Sequence, residues 1–233
     1  MMSPFDILKA ARAVARIVAD PTRLEEVFVL ADLSEKSPQL HEMIATLRQD
    51  PEVDAIFDAK PRLGALDQDA LGKLPEGTLG RAYADFMRAR GLRHEDLELV
   101  KSDASDVDWV RNHLRETHDL WHVLTGFDTD VAGELGLQAF YLAQLEGPLP
   151  VLLLTVGMIN TLVRDLGDAR HRVHAIARGW VLAQRARSLF GLPFAERWEQ
   201  PLAELRAEYA LDVEGVDAYL AATPAEQVLA EAA

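Results

Sequence analysis

Apolar residues recur along this chain at intervals of three and four, the period of helices with one buried face. Ile7, Ala11, Val14, Ile17 and Val18 form one stripe, Lys9, Arg12 and Arg16 lie on another face, and Asp20-Pro21 stops the run. The same reading predicts helices over 24–31 and 38–48, after which Asp50-Pro51 and Lys60-Pro61 punctuate a looser connector. A helix over 79–90 ends at Gly91 as a left-handed cap, and another over 106–123 is ended by Thr125-Gly126. Asp128 to Asp130 opens a helix that carries Glu134 and runs to Leu145, where Gly147-Pro148 breaks the chain. An apolar helix over 149–166, a long alanine-rich one over 169–190 and one from Pro193 to about Tyr209 complete the set. No stretch alternates for long with the period of a strand, and there is no internal repeat. The expectation is an all-α, single-domain, multi-helix bundle over residues 1–222 with an apolar, lipid-accommodating interior, followed by a short tail over 223–233.

Composition narrows the chemistry. With 233 residues the chain can bury a sizeable core. It has no cysteine, so thiolate ligands, disulfides and a cysteine nucleophile are excluded, and any metal must be held by nitrogen and oxygen. A formal charge of −14 argues against nucleic acid as a partner, because such binding rests on neutralising phosphates. The start, Met1-Met2-Ser3-Pro4-Phe5-Asp6, lacks the basic residues and apolar core of a secretory signal, which fits a cytoplasmic protein. The greasiest stretch, Leu149 to Val163, contains Pro150, Gly157 and Asn160 and falls short of the roughly twenty apolar residues that a spanning helix needs.

The candidate chemistry centres on His118-Asp119-Leu120-Trp121-His122, with Glu134 after a turn. Residues i and i+4 of a helix lie one above the other, so His118 and His122 point the same way, with Asp119 flanking them. Imidazole and carboxylate suit a divalent first-row metal, zinc foremost. The competing reading is a pair of partly exposed histidines without a ligand. The pentapeptide also resembles the zincin His-Glu-x-x-His, with Asp where the general-base Glu would stand, which weakens a metallohydrolase reading. Asp128, Asp130 and Gly133 are spaced like a calcium loop, but Ala132 and Ala139 occupy ligand positions, so an EF-hand fails. Asp130 is better read as a helix N-cap, and Asp128 as a turn residue or an acceptor for a ligating imidazole. His113 reads as a surface histidine or one supporting the site, His171 and His174 as a solvated pair, and Trp121 and Phe127 as packing around the site.

His-Asp-x-x-His, eleven residues and then Glu resembles the signature of the coenzyme Q biosynthesis protein 4 family. Leu74-Pro75-Glu76-Gly77-Thr78-Leu79-Gly80 with Tyr83 and Phe86-Met87 is similar to that family's upstream block. Gly126-Phe127-Asp128, Gly133-Glu134, Arg178-Gly179 and Trp198-Glu199 extend the resemblance from about residue 20 to residue 210. It implies a part in ubiquinone assembly: oxidative decarboxylation at C1 of a polyprenyl-4-hydroxybenzoate, the carboxyl giving way to a hydroxyl. His118, Asp119, His122 and Glu134 would hold the metal and carry the catalysis. It also implies contact with other ubiquinone-biosynthesis proteins, a homodimer, and peripheral association with the inner face of the cell membrane. The same features serve a second reading, a non-catalytic prenyl-lipid-binding scaffold braced by the metal.

Between Arg164 and Arg187 six arginines (Arg164, Arg170, Arg172, Arg178, Arg185 and Arg187) outnumber Asp165 and Asp168. This run is either a solvated helix paired with acidic neighbours or a pocket for an anion. With the apolar 149–163 segment before it, the second reading would suit a substrate bearing a carboxylate and a prenyl tail.

Overall fold

The computed structural model describes residues 3–97 and 103–222. They form twelve α-helices, and the only extended pairing among them is an isolated bridge between Thr78 and Pro201. The expected tail over 223–233 lies outside the described residues.

The helices are α1 (Pro4–Ala19), α2 (Leu24–Ser34), α3 (Pro38–Leu47), α4 (Pro51–Ala59), α5 (Gln68–Leu71), α6 (Leu79–Ala89), α7 (Asp106–Thr125), α8 (Val131–Leu145), α9 (Pro148–Arg164), α10 (Ala169–Arg185), α11 (Leu202–Glu208) and α12 (Val213–Ala222). α4, α5 and α12 were not expected. α4 falls where a looser connector was read, because Asp50 caps it through Glu52 N and Pro51 takes the first helical position, where a missing N–H is harmless. The long helix expected over 169–190 stops at Arg185, and the segment after it turns back through Gly191 at φ +80°. The helix expected from Pro193 is a single 3-10 turn at Phe194–Glu196, followed by a turn over 198–200 before α11.

That turn explains two of the sequence blocks at once. Leu79 N and Gly80 N donate to the carbonyls of Gln200 (2.9 Å) and Trp198 (2.9 Å), and Leu202 N donates to Gly77 O (2.7 Å). The Leu74–Gly80 block is therefore a clasp on the Trp198-Glu199 block, and it fixes the start of α6.

A main core gathers residues of α3, α4, α6, α7, α8 and α10 to α12, including Trp109, Trp121, Tyr83 and Phe140. A smaller one joins α1, α2 and α9 through Ala13, Ile17, Leu30 and Val156. α8 lies between α9 and α10, and glycine sets both separations. A Cβ on Gly157 would lie 2.3 Å from Leu135, and one on Gly179 would lie 1.9 Å from the carbonyl oxygen of Gly136. The absence of a side chain at Gly179 is what lets α10 touch the backbone of α8. Apolar space is offered outside the main core as an open groove of about 560 Å³ on α9 and α10, lined by Leu154, Met158, Ile159, Leu162 and Ile176.

Candidate metal centre

α7 is capped by Ser105, which accepts from Asp108 N, and ends at Gly126, where φ is +71°. Leu120 and Leu124 are fully buried, and burying such a side chain is worth about 1.5–3 kcal/mol each. The face turned away from them carries His118 and His122. The carbonyls at the end of α7 are taken up by arginines: Arg206 donates to Leu124 O (2.8 Å) and Val123 O (2.9 Å), and Arg178 to Thr125 O (3.3 Å).

The chain then reverses. Asp130 caps α8 by accepting from Gly133 N at 2.7 Å. A Cβ on Gly133 would lie 2.0 Å from Asp128 O, and one on Gly136 would lie 2.3 Å from the Phe127 ring. The turn is tight only because both positions lack side chains, and its tightness returns Glu134, in the first turn of α8, to the last turns of α7.

Three donor groups meet there. The ligand atoms of His118, His122 and Glu134 all lie within 4.8 Å of one another. The two Nε2 atoms are 3.3 Å apart, and Glu134 approaches His122 Nε2 at 3.3 Å and His118 Nε2 at 3.8 Å. Asp119 is not in this group. One residue along a helix turns the side chain by about 100°, away from the direction of His118. Its charge still reaches His118 and the buried hydroxyls of Tyr83 and Tyr141.

The tautomer of His122 follows from its neighbours. Its Nδ1 lies 3.2 Å from the carbonyl of Phe127, an acceptor only, so Nδ1 carries the proton and the Nε2 lone pair faces His118 and Glu134. A ligating histidine needs this arrangement on its far nitrogen. His118 Nδ1 lies 3.5 Å from Tyr141 Oη, with the two rings nearly parallel at 12°. Burial, and next the imidazole of His122, push the pKa of His118 down. Burial alone would raise that of Glu134, but the adjoining imidazoles of His122 and His118 outweigh it and hold the carboxyl below its usual range. A neutral imidazole beside an ionised carboxylate is what a cation requires. With both Nε2 atoms unprotonated, two lone pairs 3.3 Å apart beside a negative charge would repel unless positive charge lay among them. The donor set thus fits a divalent metal held by nitrogen and oxygen.

Other residues singled out in the sequence are also placed. Asp130 is the N-cap expected. Asp128 accepts from Arg90 at 2.5 Å and from Thr129 N at 2.7 Å, so it is a turn residue, and the carbonyl of Phe127 takes the imidazole proton instead. Trp121 and Phe127 are packed in the core. His113 is neither at the surface nor at the site. It is 3% exposed, stacks between Trp109 and Phe190, and accepts from Gly191 N. His171 pairs with Asp168 in solvent. The arginine run is largely consumed inside the fold: Arg172 is buried on Asp168, Asp165, Asn160 and Thr161, Arg178 holds Asp217, and Arg185 covers the Tyr219 ring. The residues around the site that sequence reasoning left without a role there are Tyr141, Phe86 and Arg90. Tyr141 stands seven residues after Glu134, two turns along the same face of α8, and that spacing is a signal that could have found it.

Fold and site together define an all-helical protein with two histidines and one carboxylate placed where they could hold a metal ion. The chain belongs to the coenzyme Q (ubiquinone) biosynthesis protein Coq4 family, which it matches over residues 6–214. It is 32% identical over 199 residues to the mitochondrial ubiquinone biosynthesis protein COQ4 homolog of Danio rerio, covering 76% of this chain and 72% of that one. The Aedes aegypti homolog, also mitochondrial, is 31% identical over 216 residues, covering 91% and 77%. A crystal structure of a Nostoc punctiforme protein provisionally assigned to ubiquinone biosynthesis shares the fold, with a TM-score of 0.77 at 30% identity over 88% of this chain and 97% of that one.

Proposed function

We propose that this protein acts in ubiquinone assembly as a metal-dependent decarboxylase. It releases the C1 carboxyl of a polyprenyl-4-hydroxybenzoate as carbon dioxide and leaves a hydroxyl there, a two-electron oxidation in which dioxygen is the oxidant. The observation that carries this reading is the convergence of His118, His122 and Glu134 in a member of a ubiquinone-biosynthesis family. In this reading Asp119 joins them by rotating toward the group, and zinc is the leading ion. When bound, a divalent ion supplies Lewis acidity toward a carboxylate or phenolate oxygen. The protein's part is to present unprotonated Nε2 atoms from His118 and His122, to keep Glu134 ionised, and to hold these donors on two helices pinned by the 126–130 turn. The apolar groove on α9 and α10 supports a place for the prenyl tail. Exposed Phe5, Leu8, Leu162, Val163 and Leu166 support peripheral contact with the inner face of a membrane. No described helix is long and apolar enough to cross one. Other ubiquinone-biosynthesis proteins and a second copy of the chain are the partners this role implies.

The test is turnover of a short-chain prenylated hydroxybenzoate by purified protein with oxygen and added metal. We expect product from the native protein and none from His118→Ala or Glu134→Ala, both retaining native helical circular dichroism. Full activity in either variant removes the metal from the reaction. Metal bound without turnover in any sample moves the conclusion to a lipid-binding scaffold braced by the ion.

A further inference from the structure

We propose that Arg90 is a positioning residue for the metal centre, holding the imidazole of His122 in the tautomer and tilt that aim its Nε2 lone pair at His118 and Glu134. The inference rests on the metal-centre reading above and adds to it the device that sets one of its ligands. Two neighbours orient His122, and Arg90 touches the first and grips the two residues that follow the second. The first is the Phe86 ring, stacked on the imidazole at 5.6 Å between centroids and 26° from parallel. The guanidinium of Arg90 lies over that same ring at 3.6 Å, while its Nη1 donates to Phe86 O at 3.1 Å. The second is the carbonyl of Phe127, which accepts the Nδ1 proton. The two residues after it are gripped by Arg90: Nη2 on Asp128 Oδ1 at 2.5 Å and Nε on Thr129 Oγ1 at 3.1 Å.

One planar, always-charged group thus ties α6 to the turn between α7 and α8 across the imidazole. Lysine could replace the charge but not the stack and the fork together. The tie has something to resist. Phe86, Arg90, His122 and Asp128 line an open cleft of about 320 Å³, so the ring and the turn have room to move when the guanidinium is gone. A freed Phe127 carbonyl no longer selects the Nδ1–H form, and the imidazole then divides between tautomers, only one of which offers Nε2 to a metal.

The test compares native protein with Arg90→Ala, Arg90→Lys and Asp128→Asn, all ¹⁵N-labelled on histidine, first without metal and then titrated with cobalt(II) against a competing chelator. Expected in metal-free native protein is His122 in the Nδ1–H form. Expected in Arg90→Ala is a mixture of tautomers, cobalt affinity weaker by about 10–100-fold, and an altered cobalt visible spectrum, with native helix content. Arg90→Lys and Asp128→Asn, each keeping part of the tie, should fall between. A native-like tautomer in Arg90→Ala overturns the proposal, and so does a mixed tautomer with cobalt affinity unchanged. Should the native chain take up no cobalt at all, the metal-centre reading falls by itself, and the tautomer comparison still decides whether Arg90 sets the imidazole.

Discussion

His113 stands on α7 a turn and a half before His118, and its surroundings give it a different task. Burial between Trp109 and Phe190 pushes its pKa down from 6.5 to about 4, so the folded protein keeps it neutral. The unfolded chain takes up a proton near the ordinary imidazole value. The stability this histidine supports is therefore complete above about pH 6.5 and is lost as pH falls toward 4, to an extent on the order of 3 kcal/mol. Urea unfolding at stepped pH should show that loss, and His113→Gln should flatten the slope; equal slopes in both proteins would contradict the assignment. The four residues His118, Asp119, His122 and Glu134 illustrate what spacing can convey. The i, i+4 rule aligned the histidines correctly, because it depends only on helix geometry. The approach of Glu134 depends on the bare backbone at Gly133 and Gly136, and the orientation of His122 on a main-chain carbonyl and a residue of α6. No side-chain pattern in the sequence announces those.

Among the elements, α8 and α10 approach backbone to backbone, and the approach rests on one position. Gly179→Ala would place a Cβ 1.9 Å from the Gly136 carbonyl oxygen, so the helices must separate. Overpacking of this kind costs about 1–3 kcal/mol, which should lower the thermal midpoint by roughly 2–12 °C. An unchanged midpoint would show that the contact is softer than described. Helices with strong local signals were legible in the sequence: α1 from its stripe and Asp20-Pro21, α7 and α8 from Gly126 and Asp130. Elements set by distant partners were not. Residues 198–202 turn where they do against the 77–80 segment, which exchanges main-chain hydrogen bonds with them, and nothing within 193–209 encodes that. α4 was missed for a local reason, since Pro51 was read as a breaker where it starts a helix.

At the scale of the whole molecule, the candidate metal centre is a junction. α7 brings two ligands, α8 the third, α6 stacks on one of them, and Arg178 of α10 and Arg206 of α11 close the end of α7. An ion bound there links helices that otherwise meet through a tight turn, and a ligand that binds only the folded state raises its stability by mass action. Stripping the metal should therefore lower the thermal midpoint of the native protein and leave that of His118→Ala unmoved; identical responses to chelator would place the ion elsewhere. All of this turns on whether the three side chains hold a metal. The most direct measurement is elemental analysis of the purified native protein beside His118→Ala and Glu134→Ala. The account predicts about one divalent ion per native chain and a large loss in each variant. A native protein that stays free of metal after reconstitution, or variants that retain it in full, would contradict the account.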